Sequence, residues 1–348
     1  MAKISQANLN LVSESLYRLP EQIDDVLKQS KSFKLPKRYK NVNKIVVSGM
    51  GGSNLGARIA ASIFDQSLKF PIIINPSYEV PLYVDKNTLF IASSFSGNTE
   101  EVLSAYKEAK KHKAKIAVIT SQNKNNKLMD MAKRDKTPSF AFNPQANPSN
   151  QPRLSLGYAI FALAIVMQKA GALKINLNSI KNANSKLKTW GSRLTPNKSN
   201  NAASKLADKL HHKNIIIVTG EFLEGNAHAL RNQFCENSKN FADYLTLPDM
   251  NHYAMEGLDK PSGSNLIFLF FDSNLYSPRV QKRNSLTKEV VRRNKIKLIN
   301  HKLNGRTKLE QSLEMLQLGS WVTLYLAELN NADPMKIPWV DWFKKQLK

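Results

Sequence analysis

Cysteine is almost missing from this chain. The only one, Cys235, among 348 residues excludes an intramolecular disulfide and fits a reducing, cytoplasmic setting. No Cys/His cluster has metal-ligand spacing, and the adjacent His211 and His212 read as a helix end, so no metal and no cofactor is expected. Long apolar runs are missing too. The best candidate, Leu156 to Met167, is too short for a membrane span and contains Gly157 and Tyr158. The opening MAKISQANLNLVSESLYRL lacks a signal peptide's apolar core. Its Ile4, Leu9, Leu11, Leu16 and Leu19 suit an amphipathic helix instead. Acidic residues are scarce: 27 Asp and Glu stand against 51 Lys and Arg, a formal net charge of +24. Nucleic-acid binding is one use of such a charge. The lysines, however, spread through 107–115, 124–136 and 181–205 without interleaved aromatics or a DNA- or RNA-binding motif. They read as a solvated surface biased toward anionic substrates, with neither nucleic acid nor membrane as a partner.

What the chain does have is a pair of strand-to-helix loops rich in glycine and serine. Residues 89–102 read LFIASSFSGNTEEV: an apolar strand, a polar loop with Ser94, Ser96, Gly97, Asn98 and Thr99, then an acidic helix start. Orphan amides and the positive dipole end at a helix N-terminus favour an anion. Thr99 is expected to cap that helix. Upstream, KIVVSGMGGSNLGARIA carries Gly49, Gly51, Gly52 and Ser53 between a strand and a helix. Glycines there let backbone approach a ligand. The dinucleotide fingerprint fails because position 54 is Asn, and no Gly-Lys-Ser/Thr completes a Walker loop. Thr120 and Ser121, after a further strand, either edge the same pocket or cap the next helix.

At 348 residues two domains are the default. Strands are expected at 44–48, 70–74, 88–93, 115–120 and 137–142, with helices at 54–64, 99–113, 126–134 and 154–170. A second set follows: strands near 214–219, 243–247, 265–271 and 296–299, helices near 225–238, 278–294, 307–330 and 337–347. The Asn-, Ser- and Lys-rich stretch 171–200 reads as a linker or crossover, part of it helical. The domains expected are therefore 1–170 and 201–348, joined through 171–200. Alternating βα units imply α/β domains with mainly parallel sheets, covered on both faces. Residues 45–58 and 217–229 echo each other as strand, small hydroxyl, glycine and helix, as a duplicated domain would.

The Ser-x-Ser-Gly-Asn-Thr-Glu run together with the upstream glycine loop resembles the sugar isomerase (SIS) domain, which holds phosphosugars through Ser/Thr-rich loops. The resemblance implies two SIS-type three-layer αβα domains. It implies phosphate contacts from Ser53, Ser94, Ser96 and Thr99, with Gly49, Gly51, Gly52 and Gly97 shaping the loops.

Four further segments extend the likeness over nearly the whole chain. They are Gln151-Pro152-Arg153 with Leu156-Gly157-Tyr158, Cys235-Glu236-Asn237-Ser238-Lys239, Pro248-Asp249-Met250-Asn251-His252, and Ala332-Asp333-Pro334 through Phe343-Lys344. In order and spacing they resemble the bifunctional phosphoglucose/phosphomannose isomerases. That resemblance implies isomerisation of fructose 6-phosphate to glucose 6-phosphate and mannose 6-phosphate through a cis-enediolate. Glu236 would be the base, with Phe234 and Phe241 partly burying it. His252 would assist ring opening from the neighbouring subunit of a homodimer. Lys344, or its neighbour Lys345, would approach the sugar oxygens, and Arg153 would steady the developing charge. Judged by residue type alone, Glu236 is better read as a surface glutamate and His252 as a loop histidine bonded to backbone, while Arg153 is equally a cap or an ion-pair partner. The alternatives are an isomerase for another sugar phosphate and a non-catalytic SIS regulator that binds a phosphosugar. An effector domain would mark a regulator, and no helix-turn-helix precedes the first strand.

Overall fold

The computed structural model describes residues 4–197, 200–260 and 265–347. Its helices and strands run α1 (Gln6–Tyr17), α2 (Leu19–Gln29), β1 (Lys44–Ser48), α3 (Gly52–Phe64), β2 (Ile72–Asn75), β3 (Thr88–Ser94), α4 (Glu100–Lys111), β4 (Lys115–Ser121), α5 (Lys127–Arg134), β5 (Ser139–Phe142), α6 (Leu156–Lys169), α7 (Leu177–Gly191), α8 (Ala202–Leu210), β6 (Asn214–Gly220), α9 (Glu224–Asn237), β7 (Ala242–Leu247), β8 (Leu266–Asp272), α10 (Pro278–Arg293), β9 (Lys297–Lys302), α11 (Lys308–Leu329) and α12 (Pro338–Gln346). Every strand and helix assigned from the sequence is present within a few residues of its expected limits.

The chain divides into two compact units, one of Arg18–Lys186 and the other of Met1–Tyr17 with Leu187–Lys348. The first holds a five-stranded sheet in the order β2-β1-β3-β4-β5, all parallel. All seven residues of β3 are buried, as a central parallel strand covered on both faces requires. Beside it Val46, Phe90, Tyr106, Val118 and Leu128 form one apolar cluster. The second unit holds four parallel strands in the order β7-β6-β8-β9, with Phe268, Phe270 and Trp321 among its fully buried side chains. In each unit the strand order reverses beside the first strand. The carboxyl ends of β1 and β3, and of β6 and β8, are therefore the crevice positions at which open α/β sheets bind ligands.

The unit boundaries differ from the expected domain limits at the N-terminus. Helix α1 groups with the second unit because Leu9, Val12 and Leu16 are buried there. Asn8 Nδ2 donates to Asp333 Oδ2 at 2.7 Å, and Gln317 Nε2 to the Leu16 carbonyl at 3.0 Å. Three helices lie outside the sequence assignment or only partly within it. Helix α2 follows α1 directly, with Pro20 in its first turn, where a missing amide costs nothing. Helix α7 fills much of the supposed linker, burying Ile180, Ala183, Asn184 and Leu187 at helical spacing beneath its lysines. Helix α8 starts at Asn201, whose side chain accepts from the amides of Ala203 and Ser204. Among the described residues no helix is long and apolar enough to cross a membrane.

Candidate active site

The expected phosphate loop lies at the carboxyl end of β3. Ser94, 2% exposed, places its Oγ 2.8 Å from Thr99 Oγ1 and accepts from the Gly97 amide at 3.1 Å. Ser96 Oγ accepts from the Asn98 amide at 3.2 Å. The expected Thr99 cap does not form. Thr99 stands at the N-cap position of α4, but its side chain makes no capping bond and turns to Ser94 instead. The Ser94 and Thr99 hydroxyls thus meet at a helix start that carries Glu100 and Glu101 in its first turn, with Ser96 exposed in the same loop. Thr120 and Ser121 do not cap the next helix, whose N-cap is Asn126. Their buried hydroxyls donate to the carbonyls of Ser94 (2.7 Å) and Phe95 (2.6 Å) and hold the loop from beneath.

Gly97 and Asn126 lock the loop's curvature. Gly97 has φ +72°, and a Cβ there would stand 1.8 Å from Asn126 Oδ1. That side chain cannot retreat freely: it donates to Thr120 Oγ1 and the Ser121 carbonyl, both at 2.8 Å, and accepts from the Met129 amide at 2.9 Å. Gly97→Ala is therefore expected to cost about 3 kcal/mol, from left-handed strain plus overpacking. The check is a thermal unfolding curve, which should move down by several degrees; an unchanged midpoint would show that the loop relaxes without cost.

The glycine loop after β1 brings the arginine segment in. Ser53, 8% exposed, lies in the first turn of α3. The glycine beside it packs on the backbone of 152–153: a Cβ at Gly52 would meet the Pro152 carbonyl oxygen at 2.3 Å and the Arg153 nitrogen at 2.9 Å. Arg153 is 2% exposed on the short 3-10 turn Pro152–Leu154, and its Nη1 donates to Gln151 Oε1 at 2.8 Å. Gln22 of α2 secures that turn. Fully buried, it donates to the carbonyls of Ala146 (3.2 Å) and Leu154 (2.9 Å) and accepts from the Gly157 amide at 3.1 Å. Sequence reasoning missed Gln22, because nothing in residues 19–29 announces a partner 132 positions away. The first unit thus gathers Ser94, Ser96 and Thr99, and joins Ser53 to Arg153 through Gly52.

The second unit carries the other three residues. Glu236 lies in the last turn of α9, half-buried. Phe234 is buried, but Phe241, expected to help cover the glutamate, is 71% exposed. The chain has already turned at Ser238 and Lys239 before Phe241 enters the β7 region, and the ring faces outward. His252 is exposed at the end of the 3-10 turn Asp249–His252. Lys344 and Lys345 share the last turn of α12, both exposed, on a helix that also exposes Trp339, Trp342 and Phe343. Among the described residues no group of three or more His, Cys, Asp or Glu could hold a metal ion.

The crevice of the second unit is filled by its own side chains. The Gly220 amide donates to Tyr276 Oη at 3.0 Å, and that hydroxyl donates to the Phe271 carbonyl at 3.1 Å. Burial pushes the Tyr276 phenol well above the usual tyrosine range. The Ser277 amide, at the start of α10, donates to the Glu221 carboxylate at 3.0 and 3.3 Å. An anion position at a helix start is already taken there by a carboxylate. The two halves echo in topology but not in what occupies the loop after the first strand.

Comparison with known proteins bears on the family. Residues 38–134 match the SIS domain, and residues 199–347 match the bacterial phospho-glucose isomerase C-terminal SIS domain. Over 344 residues the chain is 33% identical to a bifunctional phosphoglucose/phosphomannose isomerase of Caldicellulosiruptor bescii, covering 96% of this chain and 98% of that protein. The chain belongs to the bifunctional phosphoglucose/phosphomannose isomerase family. A second member of that family, from Thermoplasma volcanium, is 29% identical over 339 residues, covering 96% of this chain and 99% of its own. Solved structures agree on the fold alone. A hypothetical protein from Thermus thermophilus superposes with a TM-score of 0.74 at 17% identity, over 97% of this chain and 89% of that one. The tagatose-6-phosphate ketose/aldose isomerase of Escherichia coli gives 0.69 at 15% identity, over 97% and 100%. The match to the C-terminal SIS domain takes in the segments of Glu236, His252 and Lys344.

Proposed function

We propose that the chain is an aldose–ketose isomerase that interconverts fructose 6-phosphate with glucose 6-phosphate and mannose 6-phosphate. The observation that carries this reading is full-length membership of the bifunctional isomerase family, combined with the triple-hydroxyl loop at the start of α4. Ser53, Ser94, Ser96 and Thr99 take the phosphate. Their hydroxyls, the α4 amides and the dipole together suit a dianion. His252 and Lys344 assist opening of the sugar ring, a step that moves a proton to and from the ring oxygen. Glu236 then takes a proton from C1 of the open ketose, and charge develops on O2. Returning that proton to C2, while the O1 proton passes to O2, gives the aldose. Rotation about C2–C3 before the return selects between glucose and mannose configuration. Arg153, held by Gln151 and buried, stabilises the enediolate; a fixed cation in a water-poor site is effective because it needs no reorganisation as charge develops.

The working form is a cytoplasmic homodimer in which His252 of one copy serves the site of the other. Its exposure on the 249–252 turn supports that role. Mixing two inactive variants, Glu236→Gln and His252→Ala, after unfolding and refolding together should then restore activity by forming heterodimers with one intact site. No recovery would assign His252 to its own subunit's site. The reaction itself is tested by supplying fructose 6-phosphate to the purified protein and following glucose 6-phosphate and mannose 6-phosphate separately. Both should form. Glucose 6-phosphate alone would narrow the enzyme to one epimer, and tight binding without turnover would leave a phosphosugar sensor.

A further inference from the structure

We propose that Lys239 is a positioning residue that holds Glu236 in its working place and ties it to the segment leading to Lys344. The proposal rests on Glu236 being the base. Helix α9 ends at Asn237, and a helix end leaves its last carbonyls without intrahelical donors. Lys239 takes a left-handed backbone conformation, φ +55°, and its side chain turns back under that end. Its Nζ donates to the carbonyl oxygens of Glu236 at 2.5 Å and Asn237 at 3.5 Å. It also donates to the Asp333 carbonyl at 2.8 Å. An ammonium on a flexible stem, with three donors, suits three carbonyls that converge from two segments. Its charge also complements the negative end of the helix dipole.

The other end of this tie is fixed. Asp333 is 2% exposed, and its carboxylate accepts from Asn8 Nδ2 at 2.7 Å and from the Met335 amide at 2.9 Å. Asn330 Nδ2 adds a parallel bond to the Ser238 carbonyl at 2.9 Å. The carbonyls of residues 236, 237 and 238 are thus each held by a side chain, and Asp333 opens the run into α12. The Glu236 carbonyl is bonded to the same Cα that carries the carboxylate side chain. Loosening it lets the last turn unwind and shifts the base relative to its target carbon. A misplacement of about 1 Å costs on the order of a hundredfold in rate.

The test compares Lys239→Met, which keeps the stem and removes the donors, with Lys239→Arg, which keeps a donor. Lys111→Met, on an exposed helix end, serves as control. Lys239→Met should lower kcat roughly tenfold while KM for fructose 6-phosphate and inhibition by inorganic phosphate stay within about twofold, since the base moves and the phosphate loop does not. Lys239→Arg should recover most of the lost kcat, and Lys111→Met should match the wild type. If Lys239→Met fails to fold, Lys239→Gln reads the same split between kcat and KM. Wild-type kcat in Lys239→Met overturns the proposal, as does a loss shared equally by kcat and phosphate affinity. A wild type without turnover brings down the isomerase reading itself, and a fully active Glu236→Gln brings down the base assignment; both remove the proposal with its premise.

Discussion

Glu236→Gln is expected to lower turnover of fructose 6-phosphate by roughly three orders of magnitude, the middle of the range for removing a general base. The substitution keeps the size of the side chain and its capacity for hydrogen bonding, and the α9 end remains tied by Lys239. Binding should survive because the proposed phosphate contacts lie on other elements: the loop after β3 and the first turn of α3. The measurement is kcat together with a dissociation constant for fructose 6-phosphate, read by calorimetry. A fall in kcat with the dissociation constant held within about twofold assigns Glu236 to chemistry. Activity above about a tenth of wild type would place the proton transfer on another group.

Gly52→Ala is expected to lower kcat roughly a hundredfold without altering any group that touches substrate. The added Cβ would meet the Pro152 carbonyl oxygen at 2.3 Å and the Arg153 nitrogen at 2.9 Å. Both obstacles are backbone, and Gln22 pins the far side of that turn through the Leu154 carbonyl. The turn must move, and Arg153 moves with it. A double-mutant cycle identifies the route. If Gly52→Ala acts through Arg153, it should add little to Arg153→Met, because both then remove the same interaction. Additive losses would mean that the alanine acts through Ser53 and the phosphate loop instead.

Much of this was legible in the residues. Buried parallel strands write themselves as runs such as LFIASS and NIIIVTG, and glycines beside serines at their carboxyl ends mark the turns into helices. That is why both sheets and the loop at 94–99 could be located without coordinates. What was not legible depends on contacts between residues distant in sequence. Thr99 looked like a cap because helix starts favour threonine, yet Ser94 competes for its hydroxyl across the loop. Gln22 and Lys239 look like ordinary polar residues; their roles exist only once Leu154 and Asp333 are folded beside them. The filling of the second crevice by Tyr276 and Glu221 has the same character, since Tyr276 is 56 positions from Gly220. Phe241 misled for a simpler reason. Nearness in sequence to Glu236 does not fix direction once the chain turns through Lys239.

The most direct test of the account is to incubate the purified protein with fructose 6-phosphate in deuterated water and follow the products by proton magnetic resonance. The account predicts glucose 6-phosphate and mannose 6-phosphate, with deuterium accumulating at C2 over many turnovers as the proton carried by Glu236 exchanges with solvent. No product at all would contradict the account; product formed without label would mean that the proton carried by Glu236 returns to C2 before it exchanges.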